Sequence, residues 1–195
     1  MEKKIKISLK IGKAAARLFN KKGYLETNMD NIAAAAKMSK GGIYHYFSSK
    51  DEILYFVLSN YMDLILDGLE AQLDKIEDDL SKIEFIISRH IDLYTHNIAE
   101  AKTLLHEARC LPSKYYNSIA AKEREYYRIV ADVISPFLGD RAKHNKAQVT
   151  SLTFLLFGMC NWIYSWYDPK GAISPEDLSK MIWTVFVKGV DQFRA

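Results

Sequence analysis

Cysteine and proline are nearly absent from this sequence. Its 195 residues include two Cys, four Pro and nine Gly. Cys110 and Cys160 are too few and too far apart for a disulfide framework or a zinc site, and they point to a reducing compartment. So little Gly and Pro leaves scant material for an all-β fold with many tight turns. The longest apolar stretch, near F-L-L-F-G-M-C, is far short of the ~18–20 residues of a membrane span. The start M-E-K-K-I-K-I-S-L-K has no apolar run of the kind a signal peptide needs. These absences lead to the expectation of a cytoplasmic protein that calls for no cofactor, metal or membrane.

Hydrophobic residues make up 49% and charged residues 26%, an ordinary globular balance. The net charge of +3 conceals a split. Residues 1–50 hold 11 Lys/Arg against 3 acids, net +8, and residues 51–195 hold 16 against 21, net −5. A basic N-terminal part on an acidic remainder suits a polyanion partner for the first part only.

Apolar residues recur every three to four positions, so the chain reads as all-α, with about nine helices. In the first helix Ile7, Ile11, Ala14, Ala15, Leu18 and Phe19 share a face, while Lys10, Lys13, Arg17 and Lys21 lie off it. Gly23 after Lys21-Lys22 is a helix stop. Lys3, Lys4 and Lys6 precede the first firm turn and are expected to form a mobile arm. Thr27 or Asn28 caps a second short helix, and Ser39 caps a third, to about Tyr46. Ser49 and Glu52 form a capping box, and Ser81 and Glu84 repeat it. A later helix is expected to end before Pro136 and Gly139. Another is expected from about Asn145 to Tyr167, and the last over 174–193, opened by Ser174-Pro175-Glu176-Asp177.

Three short helices with a tight middle turn and a basic balance fit a helix-turn-helix unit. The third, S-K-G-G-I-Y-H-Y-F, gives up helix propensity at two glycines, at ~1 kcal/mol each. Gly41 and Gly42 clear side-chain bulk for close approach to bases, and the Ser39-capped N-terminus can face a phosphate. Ile43 and Phe47 face the core. Lys40, Tyr44 and His45 face out, and Lys40 can donate to guanine O6 and N7. Tyr44 and Tyr46 can donate to phosphates. Lys50 stands against the helix dipole, which a bound phosphate would explain. A plain turn with core aromatics stays open as the alternative.

The run T-N-M-D-N-I-A-A-A-A-K-M-S-K-G-G-I-Y-H-Y-F-S-S-K-D-E-I-L, with A-A-A-R-L-F-N-K-K-G-Y upstream, resembles the N-terminal signature of the TetR family of bacterial transcriptional regulators. The resemblance covers about residues 5–56. It implies a helix-turn-helix DNA-binding domain (1–48) and a helical ligand-binding and dimerisation domain (49–195). It also implies a homodimer on a palindromic operator, with repression relieved by a small molecule. Lys40, Gly41, Gly42, Tyr44 and His45 would lie in the major groove, and Thr27, Ser39, Tyr46 and Lys50 on phosphates. Lys37 departs from the family, which has Gly in that turn; a positive φ there strains Lys.

The segment N-W-I-Y-S-W-Y-D-P-K-G-A-I-S-P-E-D-L (Asn161–Leu178) is similar to regulators that sense acyl-CoA thioesters or related lipids. The implied ligand walls are Tyr94, Leu105, Tyr126, Tyr127, Trp162 and Trp166, with Arg109, Arg124 and Arg128 as cations for phosphates. Core packing and a dimer interface through the last two helices compete for the same aromatics. His90 sits on an apolar face and reads as a core histidine. Two rival readings are a small all-α enzyme using His106 and Glu107 as acid and base, and a nucleoid protein without effector.

Overall fold

A computed structural model of the protein describes residues 2–138 and 146–190. The expected helix limits at Gly139 and Asn145, and the last three residues of the span 174–193, lie outside the described residues. Among those described, the regular structure is helical throughout: α1 (Glu2–Lys22), α2 (Met29–Ala36), α3 (Lys40–Tyr44), α4 (Lys50–Leu66), α5 (Leu69–Leu73), α6 (Asp79–His96), α7 (Ile98–Glu107), α8 (Ser113–Phe137), α9 (Lys146–Asn161) and α10 (Pro175–Val190). Short 3₁₀ turns follow α7 (Ala108–Cys110) and α9 (Trp162–Ser165).

The residues pack as two units. One runs to Leu64 and takes in Asn97–Glu123; the other takes in Ile65–His96 and continues from Arg124. The three-helix segment thus shares a packed unit with α7 and the start of α8. In the first unit α1 packs on α2 and α7, and α2 packs on α3. Its core holds Ile11, Ala15, Phe19, Ile32, Ile43 and Phe47, all buried. In the second unit α6 packs on α9 and α10 around Ile83, Ile87, Ile91, Leu156 and Phe186.

Local chemistry sets most of the helix ends. Gly23 takes φ 83° and its N–H reaches Phe19 O at 2.8 Å, the expected stop of α1. Asn28, rather than Thr27, caps α2: its side chain accepts from Asn31 N, and Asn31 reciprocates. Ser49 accepts from Glu52 N, but the Glu52 carboxylate returns to Ser48. Ser174 accepts from Asp177 N at the start of α10.

Four expectations about ends are corrected. Helix α1 begins at Glu2, so Lys3, Lys4 and Lys6 are on a helix and form no arm. Helix α9 stops at Asn161, and a 3₁₀ turn over Trp162–Ser165 takes the place of the expected run to Tyr167. Helix α6 begins two residues before Ser81 because Asp78 supplies the cap, accepting from Ser81 N at 2.7 Å. Helix α8 carries Pro136 inside its last turn.

Lys37 closes α2 in the left-handed region, at φ 55° and ψ 50°. Its N–H reaches Ala34 O, and Met38 N reaches Ala33 O at 2.9 Å, so the ladder is closed at the cost of side-chain strain. Lys37→Gly should therefore stabilise the protein by up to about 1 kcal/mol, read as a raised urea midpoint. A lowered midpoint would mean that the Lys37 side chain earns its place through contacts.

Candidate nucleic-acid interface

Tight packing behind α3 leaves its front bare. Ile43 is fully buried and anchors the helix to the core. Ser39 caps it, accepting from Gly42 N at 3.1 Å, so the Ser39 hydroxyl hydrogen stays available to an acceptor. A side chain at Gly41 would meet nothing within 4 Å, so the bareness there serves the outside. A side chain at Gly42 would crowd Ser39 Oγ at 3.1 Å. Lys40, Gly41, Tyr44 and His45 are exposed together, with Tyr46 half-buried and edge-on to His45. Lys40 is paired with Asp30 at 3.0 Å, and both side chains are more than half exposed. That pair holds the ammonium near the front of the helix and yields readily to a stronger acceptor.

Two of the nine residues expected at DNA do something else. Thr27 is only 1% exposed and its hydroxyl donates to Gly23 O at 2.8 Å, so it does not stand at the surface with the others. Lys50 folds back beneath the α1–α2 turn. Its ammonium donates to Tyr24 O (2.8 Å), Thr27 O (2.7 Å) and Leu25 O (3.4 Å) and lies 4.1 Å above the Tyr24 ring. Three carbonyls and a ring face thus compensate a cation at the wrong end of a helix dipole. The acids Asp51 and Glu52 in the same turn restore the local balance.

The turn is clamped from other sides too. Tyr24 O–H donates to the Asp51 carboxylate, and Tyr24 N donates to Glu107 Oε1 at 3.2 Å. Burial and the Asp51 carboxylate together push the Tyr24 phenol far above its ordinary value. Cys110 Sγ donates to Glu107 Oε2 at 3.6 Å. Glu107 is therefore a support for this turn rather than a catalytic acid. Nothing in the sequence pattern announces it, because it lies 83 positions from its partner.

The residues expected at a ligand divide between the units. Leu105 and Arg109 belong to the first unit and are exposed. In the second, Trp162 and Trp166 are 61% and 56% exposed, so in one chain they wall nothing. Arg124 is exposed, and Arg128 is bound to Glu70 at 2.8 Å and Asp132 at 3.1 Å. Tyr127 stacks on Phe154 and meets the Thr150 hydroxyl at 2.9 Å. Tyr94 and Tyr126 are the inward members. The Tyr94 hydroxyl is buried with no hydrogen-bond partner among the described residues, and burial pushes its pKa up to about 12. A groove of about 390 Å³ in this unit is lined by Glu70, Asp74, Asp79 and Asp132 against the single cation Lys82, a net negative balance that is the wrong sign for a phosphate.

His90, expected in the core, is half-buried and hydrogen-bonded at both ring nitrogens. Its Nε2 meets Asn161 Oδ1 and its Nδ1 meets the Tyr126 hydroxyl, each at 3.0 Å. An amide oxygen only accepts, so Nε2 carries the hydrogen and Nδ1 accepts from Tyr126. Burial pushes the imidazole down to about 4. Among the described residues no three His, Cys, Asp or Glu side chains gather to hold a metal, and no helix is long and apolar enough to cross a membrane.

A helix-turn-helix unit with a bare recognition helix, continued by a helical unit, defines a DNA-binding regulator of transcription. Residues 11–55 match the family described as bacterial regulatory proteins, tetR family, and residues 77–190 match the tetracyclin repressor-like C-terminal domain. The chain belongs to the TetR family, a family of regulators rather than enzymes.

Its fold is similar to a TetR-family regulator of Bordetella parapertussis, at 30% identity and TM-score 0.88, over 92% of this chain and 93% of that one. It is similar to AibR, solved with isovaleryl coenzyme A and operator DNA, at 25% identity and TM-score 0.77, over 92% and 97%. The repressor KstR2 of Mycolicibacterium smegmatis is 22% identical over 91% of this chain and 87% of its own length.

Replacing Lys50 with Met should lower the unfolding free energy by about 2 kcal/mol, since three charge-assisted bonds go and carbonyls are left bare. The slope of log affinity against log salt on DNA should not change; a slope reduced by about one would restore a phosphate to Lys50. For His90 the folded pKa lies below the unfolded one, so its neutral form adds stability that is full above about pH 6.5 and lost as pH falls towards 4. Calorimetric scans should show less acid sensitivity in His90→Gln between pH 7 and 4.5, by about 2 kcal/mol. Equal sensitivity in the two proteins would mean that the imidazole is not held neutral.

Proposed function

We propose that this regulator is a repressor that binds an inverted-repeat operator as a homodimer and leaves it when a small acyl-thioester-like effector binds. Residues 1–48 make the DNA contacts, and residues 49–195 hold ligand and partner. It acts in the cytoplasm, where its DNA is.

The observation that carries the reading is α3: capped by Ser39, anchored by Ile43 and bare over Lys40, Gly41, Tyr44 and His45. Only a thin helix face enters the major groove, and these residues supply donors at its N-terminal end. Ser39, Gly42 and Tyr46 flank it, the hydroxyls placed to meet phosphates. Lys50 and Thr27 hold the turn behind it and have no part in the contact.

The homodimer reading rests on α9 and α10. Inner faces of these helices are buried, yet Phe154, Leu155, Met181 and Val185 are exposed, as are Gly158 and Gly189. An added side chain at either glycine would meet nothing within 4 Å, so a second backbone has room to come close. Exposed apolar residues in such number seek a partner surface, and two helices from each copy give a self-complementary interface.

The effector reading rests on Tyr94. A buried hydroxyl without a partner is costly, and His90, Tyr126, Phe157 and Asn161 supply ring faces and polar groups in the same unit. AibR, which binds isovaleryl coenzyme A, favours an acyl thioester over other small ligands. Such an effector relieves repression only by binding the DNA-free state more tightly than the DNA-bound one.

Selection from a random duplex pool tests the reading. Recovered sites should be inverted repeats, and a panel of short acyl-CoAs should weaken binding to them. A monomeric Leu155→Asp, Val185→Asp variant should lose about a hundredfold in affinity through lost bivalency. Sites without two-fold symmetry, bound equally by the variant, would overturn the dimer. No response to any acyl-CoA would overturn the effector class.

A further inference from the structure

On α1, successive residues step by about 100° around the axis. Taking Lys3 as zero, Lys3, Lys6, Lys10, Lys13, Arg17 and Lys21 all fall within a sector of about 80°. No other α1 residue falls in that sector. The buried residues Ile11, Gly12, Ala15, Ala16 and Phe19 take the opposite side. Each of the six cations is exposed, and among the described residues none is held in an ion pair. The acid nearest in sequence is Glu2, at the first turn. The stripe runs about 27 Å along the helix, with neighbours three or four residues apart. Like charges at that spacing repel one another and do nothing for the fold.

We propose that the outer face of α1 is a track for the DNA phosphate backbone outside the bases read by α3, so that the protein's footprint is longer than its recognition site. The proposal rests on the DNA-binding reading and adds a second surface to it. Charge complementarity selects the partner: a row of six cations, with only Glu100 sharing a surface pocket with one of them (Lys13), matches a polymer with one negative charge per ~1.7 Å of duplex axis. The packed unit that presents the stripe also presents α3, so the duplex is the polyanion brought to it. A membrane surface fits less well. A helix lying in a bilayer needs an apolar face beside the basic one, and the apolar face of α1 is spent on the core. Phosphate contacts of this kind carry no sequence information; they add affinity on every duplex and steepen its salt dependence.

The test uses the full chain with Lys6, Lys10, Lys13 and Arg17 all changed to Gln. A control has the exposed Lys75, Lys146, Lys170 and Lys188 of the other unit changed to Gln, which removes the same net charge. Circular dichroism melts establish that both variants fold. Binding to a 40-bp duplex carrying the site selected by the wild-type protein, and to a scrambled 40-bp duplex, is measured across a salt series. The stripe variant should lose about two to three from the log–log salt slope, on both duplexes, and bind at least tenfold more weakly at 100 mM salt. Its hydroxyl-radical footprint should shorten while base preference holds, and the control should keep the wild-type slope. A stripe variant with wild-type slope and footprint would overturn the proposal. So would an unchanged slope combined with stripe-dependent binding to vesicles of phosphatidylglycerol and phosphatidylcholine. A wild-type protein that binds neither duplex would instead fell the DNA reading and this one together.

Discussion

The ammonium of Lys50 holds the chain where α1 gives way to α2. The peptide groups at Tyr24, Leu25 and Thr27 have left one helix and not yet entered the next, and backbone carbonyls cannot be left dry without a donor. One side chain reaches all three. Glu107 takes the Tyr24 N–H from the far side, and Asp51 takes the phenol. This turn sets how α2 leaves α1, and α2 in turn packs against α3. A recognition helix of five residues cannot hold itself in place; its orientation is borrowed from that turn and from Ile43.

The same logic explains where the charge goes. The first unit concentrates cations on α1 and around α2 and α3, and three of its acids serve internal partners: Asp30 on Lys40, Asp51 on Tyr24, Glu107 on the turn. The second unit spends Arg128 on Glu70 and Asp132, and leaves its groove acidic. A polyanion meets attraction from one unit and repulsion from the groove of the other.

Apolar surface is distributed with the same economy. Helix α9 is apolar on both sides: Val149, Leu152, Leu156 and Cys160 face inward, Phe154 and Leu155 outward. In the second unit the half-buried His90, Tyr126 and Asn161 form a hydrogen-bonded chain in which each atom has one role that the others fix. Tyr94 lies outside that chain, its hydroxyl unmet among the described residues.

Helix type, the caps at Ser39 and Ser174, the stop at Gly23 and the bare face of α3 were all legible from residue order. Each depends on contacts within a few positions, where propensity and capping act. The small residues and exposed polar side chains of Lys40–Tyr46 were legible for the same reason, since they lie in one short run. The strain at Lys37 could be read only through the family resemblance, because Lys stands where the family has Gly in that turn. Sequence order could not show that Lys50 serves carbonyls 23 to 26 residues away, that Glu107 reaches Tyr24, or that Thr27 is buried. Nor could it tell Tyr94, turned inward, from Trp162, turned out, because both sit among apolar neighbours at helical spacing. Those outcomes depend on which faces meet across long stretches of chain, and only tertiary packing, by removing water from some groups and not others, decided them.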